Sequence, residues 1–161
     1  MTGRSGYSSI QIVLHWAVAL LVVFNYIYSD GMGDALDARL KGTTPTGLGL
    51  NPAIHVWIGV AILTLVLLRL VVRLTRGVPA PAGTGVQRTL AEWVHRLLYA
   101  LLIAVPALGA LTWFGRIDLF GEFHAVMANL LMLLAGGHAL VAIGHHLLLK
   151  DGLLGRMMRP D

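Results

Sequence analysis

The 161-residue chain contains no cysteine. That absence removes disulfides, thiolate metal sites, iron–sulfur clusters and covalent haem attachment through a Cys-x-x-Cys-His motif. Charge is scarce as well: Asp, Glu, Lys and Arg together make up 12% of the residues, against 57% hydrophobic, with a mean hydropathy of +0.75. Such a balance excludes an ordinary soluble domain and fits a polytopic membrane protein. The net charge of +4 does not point to nucleic acid, because the positive residues flank apolar runs, where they set topology. No repeat or low-complexity segment is present. The opening Met1 to Gln11 is too polar and too short to read as a cleaved signal peptide, so the first span is expected to be retained.

The length suits about four spans of roughly 20 residues each. Apolar runs cover about 10–28, 52–74, 89–114 and 122–149. Between the first two lies a polar, Gly-rich loop from Ser29 to Asn51. Val78 to Gln87, with Pro79, Pro81, Gly83 and Gly85, is a second loop, and Gly115 to Gly121 is a short connector. Pro106 falls inside the third run, which a membrane helix tolerates with a kink. The expected fold is an all-α, integral membrane four-helix bundle forming a single domain over 1–161.

Nine basic residues gather at one side: Arg4, Arg69, Arg73, Arg76, Arg88, Arg96, Lys150, Arg156 and Arg159. Only Arg39, Lys41 and Arg116 fall at the other. By the positive-inside rule both termini and the second loop are cytoplasmic, in a bacterial inner membrane. Asp30, Asp34, Asp37, Asp118 and Glu122 then lie outside.

Against this apolar background, seven histidines stand out. An ionisable ring within hydrocarbon is costly and is a functional-site hypothesis by default. His124 and His138 are fourteen residues apart on one run. Fourteen helical steps are just short of four turns, so the two rings share a face about 21 Å apart along the axis. That places one imidazole toward each side of a core roughly 30 Å thick, as two haems stacked across a bilayer require. His55 lies at the same external depth as His124, and the two can supply both axial nitrogens of one iron. At the cytoplasmic depth His15 has several possible partners: His138, His145, His146 and His95. A ligand at His145 would separate the irons by about 31 Å, and His138 gives the shorter gap, but depth does not exclude the others.

Blander roles compete at several positions. An interhelical hydrogen bond is an equal reading for His95 or His146. Arg69, Arg73 and Arg76 serve as topology anchors more readily than as partners of haem propionates. Trp16, Trp57, Trp93 and Trp113 are expected in the interfacial aromatic belt. Glu92 and Asp151 read as cytoplasmic surface residues, and Met157-Met158 as interfacial packing. Arg39, Lys41 and Arg116 can attract an external anion, although five nearby acids oppose them.

Taken in order, the motifs resemble the bacterial cytochrome b561 family along nearly the whole chain. The first span carries Tyr7-Ser8-Ser9-Ile10-Gln11-Ile12-Val13-Leu14-His15-Trp16. The second has His55 with Gly59, then Arg69-Leu70-Val71-Val72-Arg73-Leu74. The third has His95-Arg96-Leu97-Leu98-Tyr99 followed by Pro106 and Gly109. The fourth has His124, His138 and His145-His146, then Lys150-Asp151 and Leu154-Gly155-Arg156-Met157-Met158. The resemblance implies two non-covalent haem b groups, one held by His15 and His138 on the cytoplasmic side and one by His55 and His124 outside. It also implies ubiquinone near the cytoplasmic haem, beside His95 and His145 or His146. Some members of the family oxidise superoxide. The connector at Gly115 to Gly121 is shorter than in better-known members, which bears on how a donor approaches.

The expected function is therefore electron transfer from an external donor or redox partner protein to ubiquinone, in contact with membrane lipid. Two rivals remain: a cytochrome b anchor subunit wiring a soluble dehydrogenase or hydrogenase to the quinone pool, and a haem-free proton or metal-ion transporter. The absence of carboxylates from the span interiors argues against the transporter.

Overall fold

The computed structural model describes residues 6–43, 51–79, 85–150, 152 and 154–160. Arg4, Asp151 and the loop residues Pro81 and Gly83 lie outside the described residues. Five α-helices follow one another: α1 (Ser9–Ile27), α2 (Met32–Lys41), α3 (Pro52–Arg76), α4 (Gly85–Gly115) and α5 (Leu119–Gly144). A single π turn, His145–Leu149, continues α5, and a 3₁₀ turn spans Leu154–Met157. Among the described residues there is no strand. Four of the helices are long and apolar enough to cross a membrane: α1, α3, α4 and the combined α5 and π turn.

Local chemistry fixes the ends of the helices. At the start of α1 the Ser8 N–H donates to Gln11 Oε1 at 3.0 Å, the reciprocal half of a capping box. The Gln11 amide is buried, and its Nε2 donates to the Gly77 carbonyl at 2.9 Å, tying the start of α1 to the end of α3. For α3, Asn51 is the N-cap and accepts the Ala53 N–H at 3.0 Å, with Pro52 at the first helical position. There a proline sacrifices no helical hydrogen bond.

The first loop is not the coil its composition suggests. It contains α2, a helix bracketed by Gly31 and Gly42, both at positive φ. Its buried side chains are two alanines, Ala35 and Ala38. Leu36 packs against Gly121 at the start of α5, where an added Cβ would stand 3.2 Å from it. Arg39 Nε donates to the Trp113 carbonyl at 3.0 Å, and its guanidinium lies 4.8 Å from the centroid of the Trp113 ring. Thus α2 folds back onto the junction of α4 and α5.

The spans pack in chain order, α1 on α3, α3 on α4 and α4 on α5. Tyr26 of α1 closes the ring by donating its hydroxyl to Asn129 of α5 at 2.6 Å. The buried cluster consists of Val18, Ile62, Val66, Leu101, Leu102, Val105 and Leu131. Leu131 is seven residues from His124 and seven from His138, so this packed belt sits midway between the two histidine depths. The outward faces are broadly apolar, with Leu20, Val126, Leu133 and Leu140 each about two-thirds exposed or more. Water would not tolerate so much contiguous apolar surface, whereas lipid tails cover it.

Candidate functional site

At the end of the bundle covered by α2, His55 of α3 and His124 of α5 face each other. Their ring centroids are 6.1 Å apart and the ring planes cross at 81°. Both rings are half-buried. Each is held through Nδ1 by backbone carbonyls. His55 Nδ1 lies 3.1 Å from the Asn25 carbonyl and 3.3 Å from that of Tyr28. His124 Nδ1 lies 2.8 Å from the Val105 carbonyl. A carbonyl oxygen can only accept, so Nδ1 carries the proton in both rings and Nε2 is left with a free lone pair. This is the arrangement that prepares an imidazole to ligate a metal: the far nitrogen is tethered and the tautomer fixed.

The separation can be tested against the chemistry. Two imidazoles bound to opposite faces of one iron, with metal–nitrogen bonds of about 2 Å, put their ring centroids roughly 6 Å apart. His55 and His124 meet that requirement. Asn25, whose carbonyl holds His55, is itself buried, and its side-chain Oδ1 has no hydrogen-bond partner among the described residues.

The second cluster lies toward the other end, where α3 joins α4 and where Arg76, Arg88 and Arg96 gather. His15, His95 and His138 come from α1, α4 and α5. His15 is half-buried, and its Nδ1 is enclosed with no hydrogen-bond partner among the described residues. Arg69, His138 and His95 lie close enough to interact with it electrostatically. The ring in contact with His138 belongs to His95, at 5.1 Å between centroids and 75° between planes. His95 Nδ1 is bound to the Ala91 carbonyl one turn back, at 2.7 Å, and its ring is exposed on the flank of the bundle. Arg69 and Arg73 both lie over the Tyr99 ring, at 5.4 and 5.7 Å from its centroid. Among the described residues neither guanidinium has a carboxylate partner.

The remaining candidates stand apart. His145 and His146 lie in the π turn, about 10 Å beyond His138 along the helix axis. His146 is exposed and, with Leu147, Lys150 and Gly152, lines a shallow depression. So the three expected quinone residues do not form one group: His95 is beside His138, and His145 and His146 are two turns farther on.

Other expectations shift with the side-chain contacts. Arg39 is engaged with Trp113, and Lys41 pairs with Asp37 at 3.1 Å on the surface. Of the three basic residues expected to attract an anion, Arg116 is the exposed one with no ion pair among the described residues. Trp113 therefore serves as a docking partner of α2 rather than as a belt residue alone. Trp16 donates through Nε1 to the Met157 carbonyl at 2.8 Å, fastening the C-terminal turn beside His15. Glu92 is less isolated than a plain surface residue, bridging Arg88 at 3.1 Å and Arg96 at 3.9 Å.

A family model described as prokaryotic cytochrome b561 matches residues 6–160. The chain is 44% identical to cytochrome b562 of Cereibacter sphaeroides over 160 residues, covering 99% of both proteins. It is 31% identical to a probable superoxide oxidase, CybB, of Yersinia pestis, covering 94% of this chain and 95% of the relative. It is 27% identical to cytochrome b561 homolog 1 of Escherichia coli, covering 94% and 96%. No solved structure matches the chain. With a histidine pair spaced for one iron between four membrane-spanning helices, and a match running the length of the chain, the protein belongs to the prokaryotic cytochrome b561 family of haem-binding membrane proteins.

Proposed function

We propose that the protein carries electrons across the bacterial inner membrane, from a small external donor to ubiquinone on the cytoplasmic side. The observation that carries this reading is the facing of His55 and His124, 6.1 Å apart with both Nδ1 atoms tethered. A haem b at each of two levels would supply a one-electron redox centre on either side of the bilayer midplane. His55 and His124 would hold the external group.

His15 and His138 would hold the cytoplasmic one. The enclosed, unpartnered Nδ1 of His15 supports that assignment, because a buried polar nitrogen requires a partner. His95 is the rival ligand to His138. At 5.1 Å the two rings stand closer than two imidazoles across one iron, and His95 is exposed at the bundle flank. Arg69 and Arg73, held against Tyr99 without carboxylates, would pair with haem propionates.

The exposed flank of His95 also suits an acceptor that arrives through the lipid. His95 would meet the quinone ring there, and His145 or His146 would relay protons from the cytoplasmic surface. Ubiquinone takes up two electrons and two protons. If superoxide is the donor, two superoxide anions each lose one electron and leave as dioxygen. Superoxide enters this reading through the Yersinia pestis relative, named as a probable superoxide oxidase. The Lys/Arg bias of nine to three orients both termini toward the cytoplasm.

The test is the haem-to-protein ratio of the detergent-purified protein, with a dithionite-reduced spectrum. Two low-spin b-type haems per chain are expected. A colourless, folded preparation would overturn the cytochrome mechanism in favour of ion transport.

A further inference from the structure

Supplying no iron ligand at the external level, α4 nonetheless forms the wall against which His124 rests. A methyl group built on Gly109 would stand 3.0 Å from both Cε1 and Nδ1 of the His124 ring. The same ring donates to the Val105 carbonyl, one helical turn before Gly109. The two contacts are linked by helix geometry. Side chains in an α-helix lean back toward the N-terminus, over the turn that precedes them. Any side chain at position 109 would therefore lie across the Val105 carbonyl. Glycine leaves that carbonyl open from the side, and the imidazole enters the gap.

We infer that Gly109 and the Val105 carbonyl form a notch in α4 that seats His124, fixing the tautomer and direction of its ring, so that Gly109 is a positioning residue for the external redox centre. The inference rests on the reading of His55 and His124 as ligands of one iron. The notch acts in two ways. Its hydrogen bond holds the proton on Nδ1, so that Nε2 is the nitrogen presented to His55. Its floor sets how far the ring can retreat from the bundle axis. Gly33 in α2 provides an internal contrast: it is exposed, and an added Cβ there would meet nothing within 4 Å. Glycine is a steric requirement beside His124 and is not one there.

The experiment compares Gly109→Ala with Gly33→Ala in detergent-purified full-length protein. Haem per chain is measured, together with the ferric low-spin EPR signal, whose largest g value reports the mutual angle of two axial imidazole planes. In Gly109→Ala the external haem is expected to bind roughly tenfold to a hundredfold more weakly, the range for loss of a ligand's orienting partner, or to show a shifted g value. The cytoplasmic haem stays, which also reports that the bundle has folded. Gly33→Ala keeps both signals. Two unchanged signals in Gly109→Ala, or loss of both haems together, would overturn the inference. A wild-type protein without two haems would instead overturn the ligand reading on which it depends.

Discussion

At the scale of single residues, the chain treats its histidines differently according to what holds the nitrogen that faces away from the partner ring. His55 and His124 are tethered by main-chain carbonyls from helices other than their own. His95 is tethered within its own helix, to Ala91. An i−4 tether lets a ring swing with its helix, while a carbonyl from a neighbouring helix fixes it in the frame of the bundle. His15 has no tether at Nδ1 among the described residues, and its nitrogen is enclosed. These differences predict distinct losses. His15→Ala and His138→Ala should each remove the cytoplasmic haem and leave the external one, giving one haem per chain by pyridine haemochrome assay. His95→Gln should retain both haems and slow only quinone reduction. A His95→Gln protein with a single haem would make His95 the ligand in place of His138.

At the scale of elements, the unexpected part is α2. Its residues are few and polar, and the apolar runs on either side dominate any reading by hydrophobicity. Its signals were nonetheless in the sequence: a glycine at each end, Asp34 in the first turn, and Arg39 and Lys41 in the last. Acids near the N-terminus and bases near the C-terminus suit the helix dipole, and glycine at positive φ is a common helix stop. What the sequence did not contain was a reason for α2 to dock, because the contacts lie more than seventy residues away on Trp113 and Gly121. Arg39 contributes both a hydrogen bond and a cation–π contact there, each worth of the order of 1 kcal/mol at a partly exposed site. Arg39→Ala should loosen α2 from the α4–α5 junction without unfolding the spans. Limited proteolysis of the purified protein checks this: cleavage within 29–43 should accelerate several-fold while the haem content holds. Unchanged cleavage would mean that Ala35, Leu36 and Ala38 suffice to hold α2.

At the scale of the whole molecule, the helices form a ring with a histidine cluster toward each end and an apolar belt between them. Transmembrane electron transfer needs that layering: two sites near opposite surfaces, separated by a packed and dry middle. The proposed orientation of the stack rests on the charge bias, and the absence of cysteine makes it easy to check. Lys41→Cys and Arg159→Cys each introduce a single exposed thiol, at opposite ends of the bundle. In intact cells a membrane-impermeant maleimide should label Lys41→Cys and spare Arg159→Cys until the membrane is broken. The reverse pattern would invert the proposed direction of electron flow.

Much of this plan was legible in the sequence, for a local reason. Span length, helix pitch and the ranking of apolar against charged residues are properties of a few neighbouring positions, so four spans and the two depths of histidine emerge from the chain alone. The sequence by itself also determined that His55 and His124 share a level. The tertiary structure alone decided which faces meet. Helices that are apolar nearly all round carry little azimuthal information, since lipid and protein interior reward the same side chains. Only packing could show that His138 touches His95, that His145 and His146 stand apart in a π turn, and that α2 folds over the α4–α5 junction. Packing likewise set the His124 ring into α4 beside Gly109, because a carbonyl on one helix and an imidazole on the next become partners only when the two axes are brought together.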